Sequence, residues 1–473
     1  MIKKRIFILG IGLITLAACQ PKPPQQKKNI LLICVDDLRP ELKSFGADYI
    51  YSPHIDSLAA KGMRFGRHYV NAPSCGPSRF TLLTGKYGPP GNNALFLRAA
   101  KMQKGEEKLD PSLPEWLKAN GYTTVSVGKV SHHPGGRGGA DWDDSTQVEM
   151  PGAWDKHLLP VGDWQHPRGV MHGLANGEIR KVASEMDVFQ HFDGDDHSYP
   201  DGTIAAEAIH QLKQLTTSKM PFLLAVGIIK PHLPFGAPKN YYDQYANVSL
   251  PKIKYPEKPH GKTTWHASGE FMKYNRWGKD PNTDRAFADE VRRHYAAAVS
   301  YADAQVGKIL AALKQSGVDK NTIVVLWGDH GWHLGEHAIW GKHSLFEEAL
   351  HAPLIIHYPG MKNSGSQTEA LVETLDLFPT LCELAGIEIP TFVQGVSLKN
   401  ILDDPRQKGH PVAAYTNRAT TLRTETHRIV LHKEGQVELY DHRSLAKETQ
   451  NIADQYPQVV TELKNEMSTK LKR

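Results

Sequence analysis

The sequence predicts an α/β protein in which a large, mostly parallel β-sheet is flanked by helices and followed by a small antiparallel subdomain. Continuous apolar runs of strand length stand at 29–35, 221–229 and 322–327, and such runs are typical of strands buried on both faces of a parallel sheet. Segments with helical spacing alternate with them, which favours helices on both faces of the sheet. Toward the end of the chain the pattern changes to short strands and a final helix. We therefore expect a main domain over 29–400 and a small α+β subdomain over 401–473.

The first 28 residues are interpreted as a targeting segment followed by a tether. A basic start and an apolar run over 6–16 precede Leu16-Ala17-Ala18-Cys19, as in a secretory signal, and the run is too short to span a membrane. The tetrapeptide resembles a bacterial lipobox, which implies a lipoprotein signal over 1–19, cleavage before Cys19 and lipidation of its thiol; an ordinary secretory signal is the alternative. Residues 20–28, rich in Pro, Gln and Lys, fit a flexible tether. We expect an exported, membrane-anchored lipoprotein that faces the periplasm or the cell surface.

Composition is ordinary for a soluble globular protein. A net charge of +5 on 473 residues gives no reason to expect a nucleic-acid partner. Apart from Cys19 and Cys75, the cysteines are Cys34 and Cys382. Each of these two lies in an apolar run, so we expect buried free thiols rather than a disulfide.

The remaining elements follow from periodicity and from glycine positions. In chain order we expect a helix at 53–61 ending at Gly62, a strand at 63–70, a helix at 113–120 closed by Gly121, a strand at 122–127, a long helical pattern over 283–316 with at most one break, a strand at 353–357 and a helix at 374–384. Short strands are expected at 412–415, 428–432 and 437–440. The Gly-rich stretch 135–194 shows no period and is interpreted as a surface insertion that shapes a substrate pocket.

One short stretch, 71–85, combines a nucleophile with a site for an anion. Pro77 suits the first turn of a helix, which can continue until Gly85 stops it. Cys75 then lies at the helix N-terminus, where free N–H groups and the helix dipole favour an anion. Arg79, one turn later, can direct its guanidinium to the same place and hold an oxyanion through two hydrogen bonds.

Polar side chains also follow four separate predicted strands. They are Asp36-Asp37, Lys129 with His132, His232, and Asp329-His330. The carboxyl ends of parallel strands lie along one edge of a sheet, so these groups can converge. Two adjacent carboxylates offer the hard oxygen ligands that calcium or magnesium prefers, although a helix N-cap would explain one of them.

At these places the chain resembles a known family. Cys75-x-Pro77-Ser78-Arg79 followed by Leu83-Thr84-Gly85 resembles the signature of type I sulfatases, in which the cysteine is oxidised after synthesis to formylglycine. The segments 35–40, 128–130, 230–235, 328–337 and 340–342 are similar to the iduronate-2-sulfatase branch of that family. The resemblance implies an alkaline-phosphatase-like fold, hydrolysis of a sulfate monoester of a sugar, and a formylglycine-generating maturation enzyme as partner.

The resemblance also implies a metal site. Asp36, Asp37, Asp329 and His330 would hold a divalent cation, usually calcium (Ca2+) with magnesium (Mg2+) as the alternative, and the matured Cys75 side chain would face it. An imidazole is an unusual ligand for calcium. For His330 the second interpretation is therefore that it binds the sulfate or the nucleophile beside the metal.

Hydrolysis of a sulfate ester needs positive charge around the sulfuryl oxygens. Besides the metal, the residues that would supply it are Arg79, Lys129 and Lys342. His232 can give the leaving alcohol its proton as a general acid. By the resemblance, a second histidine after Lys129 acts as the base that regenerates the aldehyde; both His132 and His133 follow, and the spacing favours His132.

Two other functions and the substrate stay open at this level. The alternatives are a phosphonate or phosphodiester hydrolase with the same core, and a lipoprotein that binds sulfated glycans without turnover. The resemblance suggests exo-acting removal of sulfate from a uronic acid in a glycosaminoglycan or algal polysaccharide. Arg137, Arg168 and Arg423 could bind a carboxylate, with solvated surface charge as the alternative. His333 and His337, beyond the metal motif, are interpreted as supporting or surface residues.

Overall fold

The computed structural model of the chain describes residues 27–105, 109–261 and 268–472. The predicted signal with its lipobox Cys19 lies outside these residues. In the part of the chain that is described, no helix has both the length and the apolar character needed to cross a membrane.

Strands and helices alternate along most of the chain. The strands are β1 (Asn29–Val35), β2 (Met63–Tyr69), β3 (Thr123–Gly128), β4 (Arg137–Gly138), β5 (Asp144–Val148), β6 (Lys156–Leu158), β7 (Phe189–Phe192), β8 (Phe222–Ile228), β9 (Phe235–Pro238), β10 (Thr322–Gly328), β11 (His333–Leu334), β12 (Trp340–Gly341), β13 (Leu354–His357), β14 (Gln367–Glu373), β15 (Val412–Tyr415), β16 (Ala419–Arg423), β17 (His427–His432) and β18 (Val437–Asp441). The α-helices are α1 (Pro53–Lys61), α2 (Cys75–Thr84), α3 (Ala94–Lys104), α4 (Leu113–Ala119), α5 (Pro167–His172), α6 (Pro200–Leu215), α7 (Lys239–Asp243), α8 (Arg285–Gln315), α9 (Glu347–Leu350), α10 (Leu377–Ala385), α11 (Lys399–Asp403) and α12 (Pro457–Leu471).

The main sheet has eight strands in the order β14-β2-β13-β10-β1-β8-β3-β6. β1 pairs in parallel with both β10 and β8, and β3 continues the parallel pairing from β8 to β6. β13 runs antiparallel to β10 and to β2, so the sheet is mixed but mostly parallel. The predicted fold class is confirmed.

The central strand β1 is buried on both faces because its side chains alternate between two hydrophobic layers. Leu31, Ile33 and Val35 pack in the layer that contains α6 and α8. The residues between them pack with α2, α4 and α10 on the opposite face. Burial on both faces explains why the sequence has an unbroken apolar run here instead of an alternating pattern.

The structure differs from the sequence-based expectation in several elements. The pattern does not reveal β14 or β16, whose runs mix charged or hydroxyl residues with apolar ones. α8 is continuous over 31 residues, without a break. Part of the stretch 135–194 belongs to the core and is not the surface insertion that the sequence predicts. β6 joins the main sheet, and Trp164 and Val170 are buried.

The C-terminal part is a four-stranded antiparallel sheet of β15 to β18 with α12 packed on it. Its other face packs against Tyr69 and Phe346 of the main domain. The predicted antiparallel subdomain with a final helix is therefore confirmed, while the boundary at residue 400 stays a prediction. Cys34 in β1 and Cys382 in α10 are buried free thiols, as expected.

Candidate active site

Cys75 is the first residue of helix α2, and local sequence explains where this helix begins and ends. Ser74 before it has extended backbone angles, and Pro77 fits the first turn because its missing N–H is not needed there. Gly85 ends the helix in a left-handed conformation, φ 66°, and donates its N–H to the Thr81 carbonyl. The positive end of the helix dipole therefore lies at Cys75.

Three buried carboxylates lie beside Cys75 at the carboxyl ends of two neighbouring strands. Asp36 and Asp37 follow β1, Asp329 follows β10, and all three are 0% exposed. The Asp37 N–H donates to Asp329 Oδ1 at 3.0 Å, which links the two strand ends. Asp37 has φ 56°, a left-handed conformation that redirects the chain after β1. Parallel pairing of the strands thus brings distant parts of the sequence to one point, as the pattern of strand ends predicts.

The Cys75 sulfur lies among four charged or ionisable groups. Its Sγ is 3.4 Å from Asp36 Oδ1 and 3.2 Å from His330 Nε2. It is also 3.4 Å from Lys342 Nζ and 3.7 Å from Lys129 Nζ. Two ammonium groups beside one side chain make this a place where an anion is stabilised.

Arg79 is fully buried and already engaged by protein groups. Its guanidinium lies 2.8 Å from Asp329 Oδ2 and 3.4 Å from Asp36 Oδ1, and Nη1 donates to the carbonyls of Lys129 and Val130. In this geometry the guanidinium is not positioned to donate the two hydrogen bonds to an oxyanion that the sequence predicts. Arg79 instead holds the carboxylates in place, since Nε donates to Asp329 Oδ2 at 3.0 Å and Nη2 forms the ion pairs with both aspartates.

The two lysines each pair with one carboxylate of the Asp-Asp motif. Lys129 Nζ donates to Asp36 Oδ2, and Lys342 Nζ donates to Asp37 Oδ1 at 2.8 Å. Lys342 also lies over the Trp332 ring, 5.4 Å from its centroid. Both ammonium groups are thereby fixed on the Cys75 side of the carboxylates.

The donor set fits a divalent cation. Asp37 Oδ2 is buried, and none of the described residues forms a hydrogen bond with it. His330 donates Nδ1–H to the Gly331 carbonyl at 3.0 Å, so the Nε2 lone pair points toward Asp37 and Asp329, at 3.3 and 3.6 Å. Single ligand atoms lie within 4.8 Å of one another in the set Asp36, Cys75, Asp329 and His330. The two buried carboxylates of this set, with the Asp37 carboxylate beside them, suit calcium or magnesium.

The charges of the three aspartates are unevenly balanced by protein groups. Burial acts to raise the pKa of Asp36, but Lys129 and the other nearby cations hold that pKa well below its usual range. Burial raises the pKa of Asp37 well above its usual range, with Lys342 opposing. Burial and the charge of Asp36 raise the pKa of Asp329 to about 7. A divalent cation among them would remove this repulsion.

Buried Asp201 of α6 shapes the loop that follows β8. Its carboxylate accepts the N–H groups of Ile229 and Lys230 at 2.7 and 2.8 Å. The Lys230 ammonium in turn donates to the Pro234 carbonyl at 2.7 Å. Burial lowers the pKa of Lys230 to about 8. These contacts fix the segment that carries His232.

His232 is oriented toward the Cys75 region by its own backbone. Its ring donates Nδ1–H to the Leu233 carbonyl at 2.6 Å, which leaves Nε2 as the free ring nitrogen. His232 has a ligand atom within 4.8 Å of those of Asp36, Asp37 and Cys75. Burial first, and then the charge of Lys129, lowers the pKa of His232 well below its usual range.

The two histidines after Lys129 have different surroundings. His133 is 7% exposed and its Nδ1 lies 2.7 Å from Glu149 Oε1, so this ring is held by a carboxylate. His132 stacks edge-on against His133, and its Nδ1 has no hydrogen-bond partner. Burial and the charge of Lys129 lower the pKa of His132 well below its usual range. An uncharged, unengaged imidazole beside Lys129 is the form that a general base requires.

Sequence reasoning missed one carboxylate of the site. Glu270 Oε1 lies 3.7 Å from His232 Nε2, and its Oε2 lies 3.5 Å from Lys342 Nζ and has no hydrogen-bond partner among the residues that the structure describes. The residue stands in a loop-rich region with no motif and no period. Tertiary structure places Glu270 beside His232 and Lys342, and no local sequence pattern predicts this position.

The other residues considered from the sequence lie outside this cluster. Arg137 is exposed, and Arg168 donates to the carbonyls of Ala140 and Lys181. Arg423 is only 5% exposed and lies 3.8 Å from a carboxylate oxygen of Glu347, so the surface-charge interpretation is wrong for it. His333 and His337 are both buried; the first pairs with the Ser344 hydroxyl at 2.7 Å.

Two family models match the chain. One, described as Sulfatase, matches residues 28–387. The other, described as N-sulphoglucosamine sulphohydrolase, C-terminal, matches residues 335–473. Together they extend from the first described strand to the last helix.

Curated proteins with similar sequences include iduronate 2-sulfatase of Homo sapiens, 32% identical over 430 residues, which cover 81% of this chain and 74% of that protein. A sulfatase of Formosa agariphila is 28% identical over 486 residues, 96% of this chain and 89% of that protein. Among solved structures, the phosphonate monoester hydrolase of Agrobacterium radiobacter is 21% identical, with a TM-score of 0.72 and coverage of 94% and 95%. A chain solved with its substrate D-glucosamine-2-N,6-O-disulfate is 20% identical, with a TM-score of 0.70 and coverage of 94% and 98%.

Proposed function

The chain belongs to the sulfatase family, and on that premise we propose that it hydrolyses sulfate monoesters of a sugar with an aldehyde hydrate made from Cys75 as the nucleophile. The observation that carries this proposal is the position of Cys75. Its side chain stands at a helix N-terminus, between two lysine ammonium groups, and next to a set of buried carboxylates. These surroundings suit the attack of an oxygen nucleophile on a bound anion.

The unmodified thiol is poorly suited to the same task. Burial and the charge of Asp36 raise the pKa of Cys75 well above its usual range. The thiol would therefore stay protonated at neutral pH, whereas the thiolate is the nucleophilic form of cysteine. Conversion of Cys75 to formylglycine by a maturation enzyme, as is general in the family, would supply an oxygen nucleophile in place of this thiol.

Asp36, Asp37, Asp329 and His330 would hold a calcium ion, with magnesium as the alternative. When bound, the cation supplies positive charge beside the sulfuryl oxygens and favours the deprotonated form of a neighbouring hydroxyl. Lys129 and Lys342 add fixed positive charge on the Cys75 side, and Arg79 keeps Asp36 and Asp329 in position.

We assign His232 as the group that protonates the leaving sugar oxygen through Nε2. Its Nδ1–H is already donated to a backbone carbonyl, so Nε2 is the atom that can hold the transferred proton. Burial and Lys129 oppose protonation of the ring. The negative charge of a bound sulfate ester and the nearby Glu270 carboxylate both act in the opposite direction.

We assign His132 as the base of the second half-reaction. The sulfated hydrate retains one hydroxyl, and its deprotonation expels sulfate and restores the aldehyde. His132 has an unengaged Nδ1, whereas His133 is held by Glu149. The structure therefore supports His132 over His133.

The substrate class rests on the relatives. Similarity to iduronate 2-sulfatases supports exo-acting removal of sulfate from a uronic acid in a glycosaminoglycan or algal polysaccharide. The lipobox-like segment supports export and anchoring through a lipidated Cys19, facing the periplasm or the cell surface. Neither point follows from the geometry of the site.

The test is sulfate release by protein co-expressed with a formylglycine-generating enzyme and assayed with calcium. The panel contains sulfated uronides, sulfated hexosamines and, for comparison, a phosphonate monoester. We expect sulfate release from a sulfated sugar and none from the Cys75→Ala variant. Faster cleavage of the phosphonate, or no sulfate release from any sugar, would overturn the proposal.

A further inference from the structure

A second cluster of metal-ligating side chains lies away from Cys75, in a cavity of about 220 Å³. The cavity lies between the segment 336–351 and the C-terminal subdomain. The side chains at its centre are His337, Glu348 and Glu448, and one ligand atom from each lies within 4.8 Å of the others. The mechanism proposed above uses none of them.

His337 directs Nε2 toward Glu348 in this cavity. The side chain is 1% exposed, and within the described part of the chain its Nδ1 has no hydrogen-bond partner. Its Nε2 lies 3.4 Å from Glu348 Oε2, an oxygen that is likewise without a hydrogen bond. The Phe346 ring stacks on the imidazole at 4.5 Å and holds its orientation. Buried polar atoms are rarely left unpartnered, so each of these calls for an explanation.

Glu448 is held in place by groups behind it. Oε1 accepts from Arg428 and lies 3.0 Å from His442 Nε2, and Oε2 accepts the Glu347 N–H at 2.7 Å. Ordered partners of this kind commonly orient a carboxylate that ligates a metal. Among the described residues, Arg39, Lys254 and Lys447 line the cavity, and Arg428 and Arg423 contact its carboxylates from behind.

Arg428 already pairs with Glu347 and Glu448, and Arg39 pairs with Glu336. Among the described residues, no Lys or Arg is paired with Glu348, which lies beside His337. One imidazole with two carboxylates can bind zinc, which takes nitrogen and oxygen at about 2.0–2.2 Å and accepts water as a further ligand. Calcium would instead require six or more oxygens.

We propose that His337, Glu348 and Glu448 form a second metal site, which binds zinc and is distinct from the site at Cys75. His337 lies on the turn between β11 and β12, five residues before Lys342, and Glu448 belongs to the C-terminal subdomain. A zinc ion there would fasten the Lys342 segment to that subdomain. Zinc binding should therefore raise the unfolding temperature.

The experiment counts zinc on the full chain in the presence of excess calcium, by elemental analysis after gel filtration. Glu348→Gln removes a ligand but keeps the side-chain shape, and Lys254→Ala changes an exposed cation of the same cavity as the control. We expect wild type and Lys254→Ala to hold one zinc ion more than Glu348→Gln. Zinc should also raise the unfolding temperature of the first two proteins only.

Equal zinc content in wild type and Glu348→Gln would overturn the proposal. A proton shared between His337 and Glu348 would then explain why these two buried side chains lie together. A second measurement uses wild type alone, so that its result does not depend on whether the variant folds. In crystals grown with zinc, anomalous scattering at the zinc edge should give a peak within bonding distance of the His337 ring. Its absence would also refute the site.

Discussion

At the scale of single residues, Lys342 is expected to contribute to binding of the anion but not to be required for folding. We predict that Lys342→Ala lowers kcat/KM by about 10²–10³, the usual cost of removing one preorganised group that stabilises transition-state charge. The fold should persist with calcium present, since a cation near Asp37 replaces the lost partner. Lys273→Ala, an exposed lysine near the site, is the matched control. Near-normal turnover of a sulfated sugar by Lys342→Ala would remove this residue from the mechanism.

A second prediction for single residues distinguishes the roles of His132 and His133. If His132 is the base that expels sulfate, His132→Ala should complete the first half-reaction and accumulate protein that carries a covalent sulfate. Intact mass spectrometry after mixing with substrate detects that adduct. His133→Ala should turn over without accumulating it, because this ring is bound to Glu149. The reverse pattern would exchange the two roles.

At the scale of elements, the first turn of α2 packs closely against the loop that contains Asn92. A Cβ on Gly76 would lie 2.3 Å from the Asn92 Cα, so Gly76→Ala must push the first turn of the helix, with Cys75, away from that loop. We predict a loss of stability of about 1–3 kcal/mol, measured by urea unfolding, and a fall in kcat. Gly91→Ala is the control, since its Cβ meets nothing within 4 Å. Equal stability and activity in both variants would contradict this description.

The same scale shows what the sequence can and cannot predict. Buried central strands such as β1 and β10 are visible as apolar runs, and glycines such as Gly62 and Gly85 mark helix ends correctly. β14 and β16 have mixed composition, and β6 is three residues long. Their strand pairing depends on neighbours supplied by tertiary structure, which periodicity does not contain.

At the scale of the molecule, a buried charge network joins the last helix to the main sheet. His410 Nε2 lies 2.9 Å from Asp376 Oδ2, and Lys470 of α12 donates to Glu373 Oε1 at 2.6 Å. Burial and the charge of Lys470 act to lower the pKa of His410, but Asp376 and Glu373 raise it to about 9. The network therefore favours protonated His410 in the folded state.

The resulting prediction concerns stability against pH. Because the folded-state pKa exceeds the ordinary value of 6.5, the contribution is complete below that pH and is lost as pH rises through about 9. Between about pH 6 and pH 9.5, wild type should lose on the order of 2–3 kcal/mol more than His410→Gln in urea unfolding. His210→Gln, an exposed histidine, should behave like wild type. Identical pH dependence in wild type and His410→Gln would contradict the assignment.

The assembly of the site is also a property of the whole molecule. Polar groups after four strands could be placed along one edge of the sheet from the sequence, because parallel order fixes which ends meet. The engagement of Arg79 by Asp329 and two carbonyls could not, since it depends on side-chain distances. Glu270 was missed for a related reason: its loop reaches the site only in the folded chain.

The most direct test of the account is the mass of the peptide that contains Cys75, from protein made with a formylglycine-generating enzyme. Formylglycine at that position, together with sulfate release that Cys75→Ala lacks, is the result expected of a sulfatase. An unmodified thiol in protein that still releases sulfate would contradict the aldehyde mechanism. An unmodified thiol in inactive protein, under conditions that convert a known sulfatase, would instead support a protein that binds sulfated glycans without turnover.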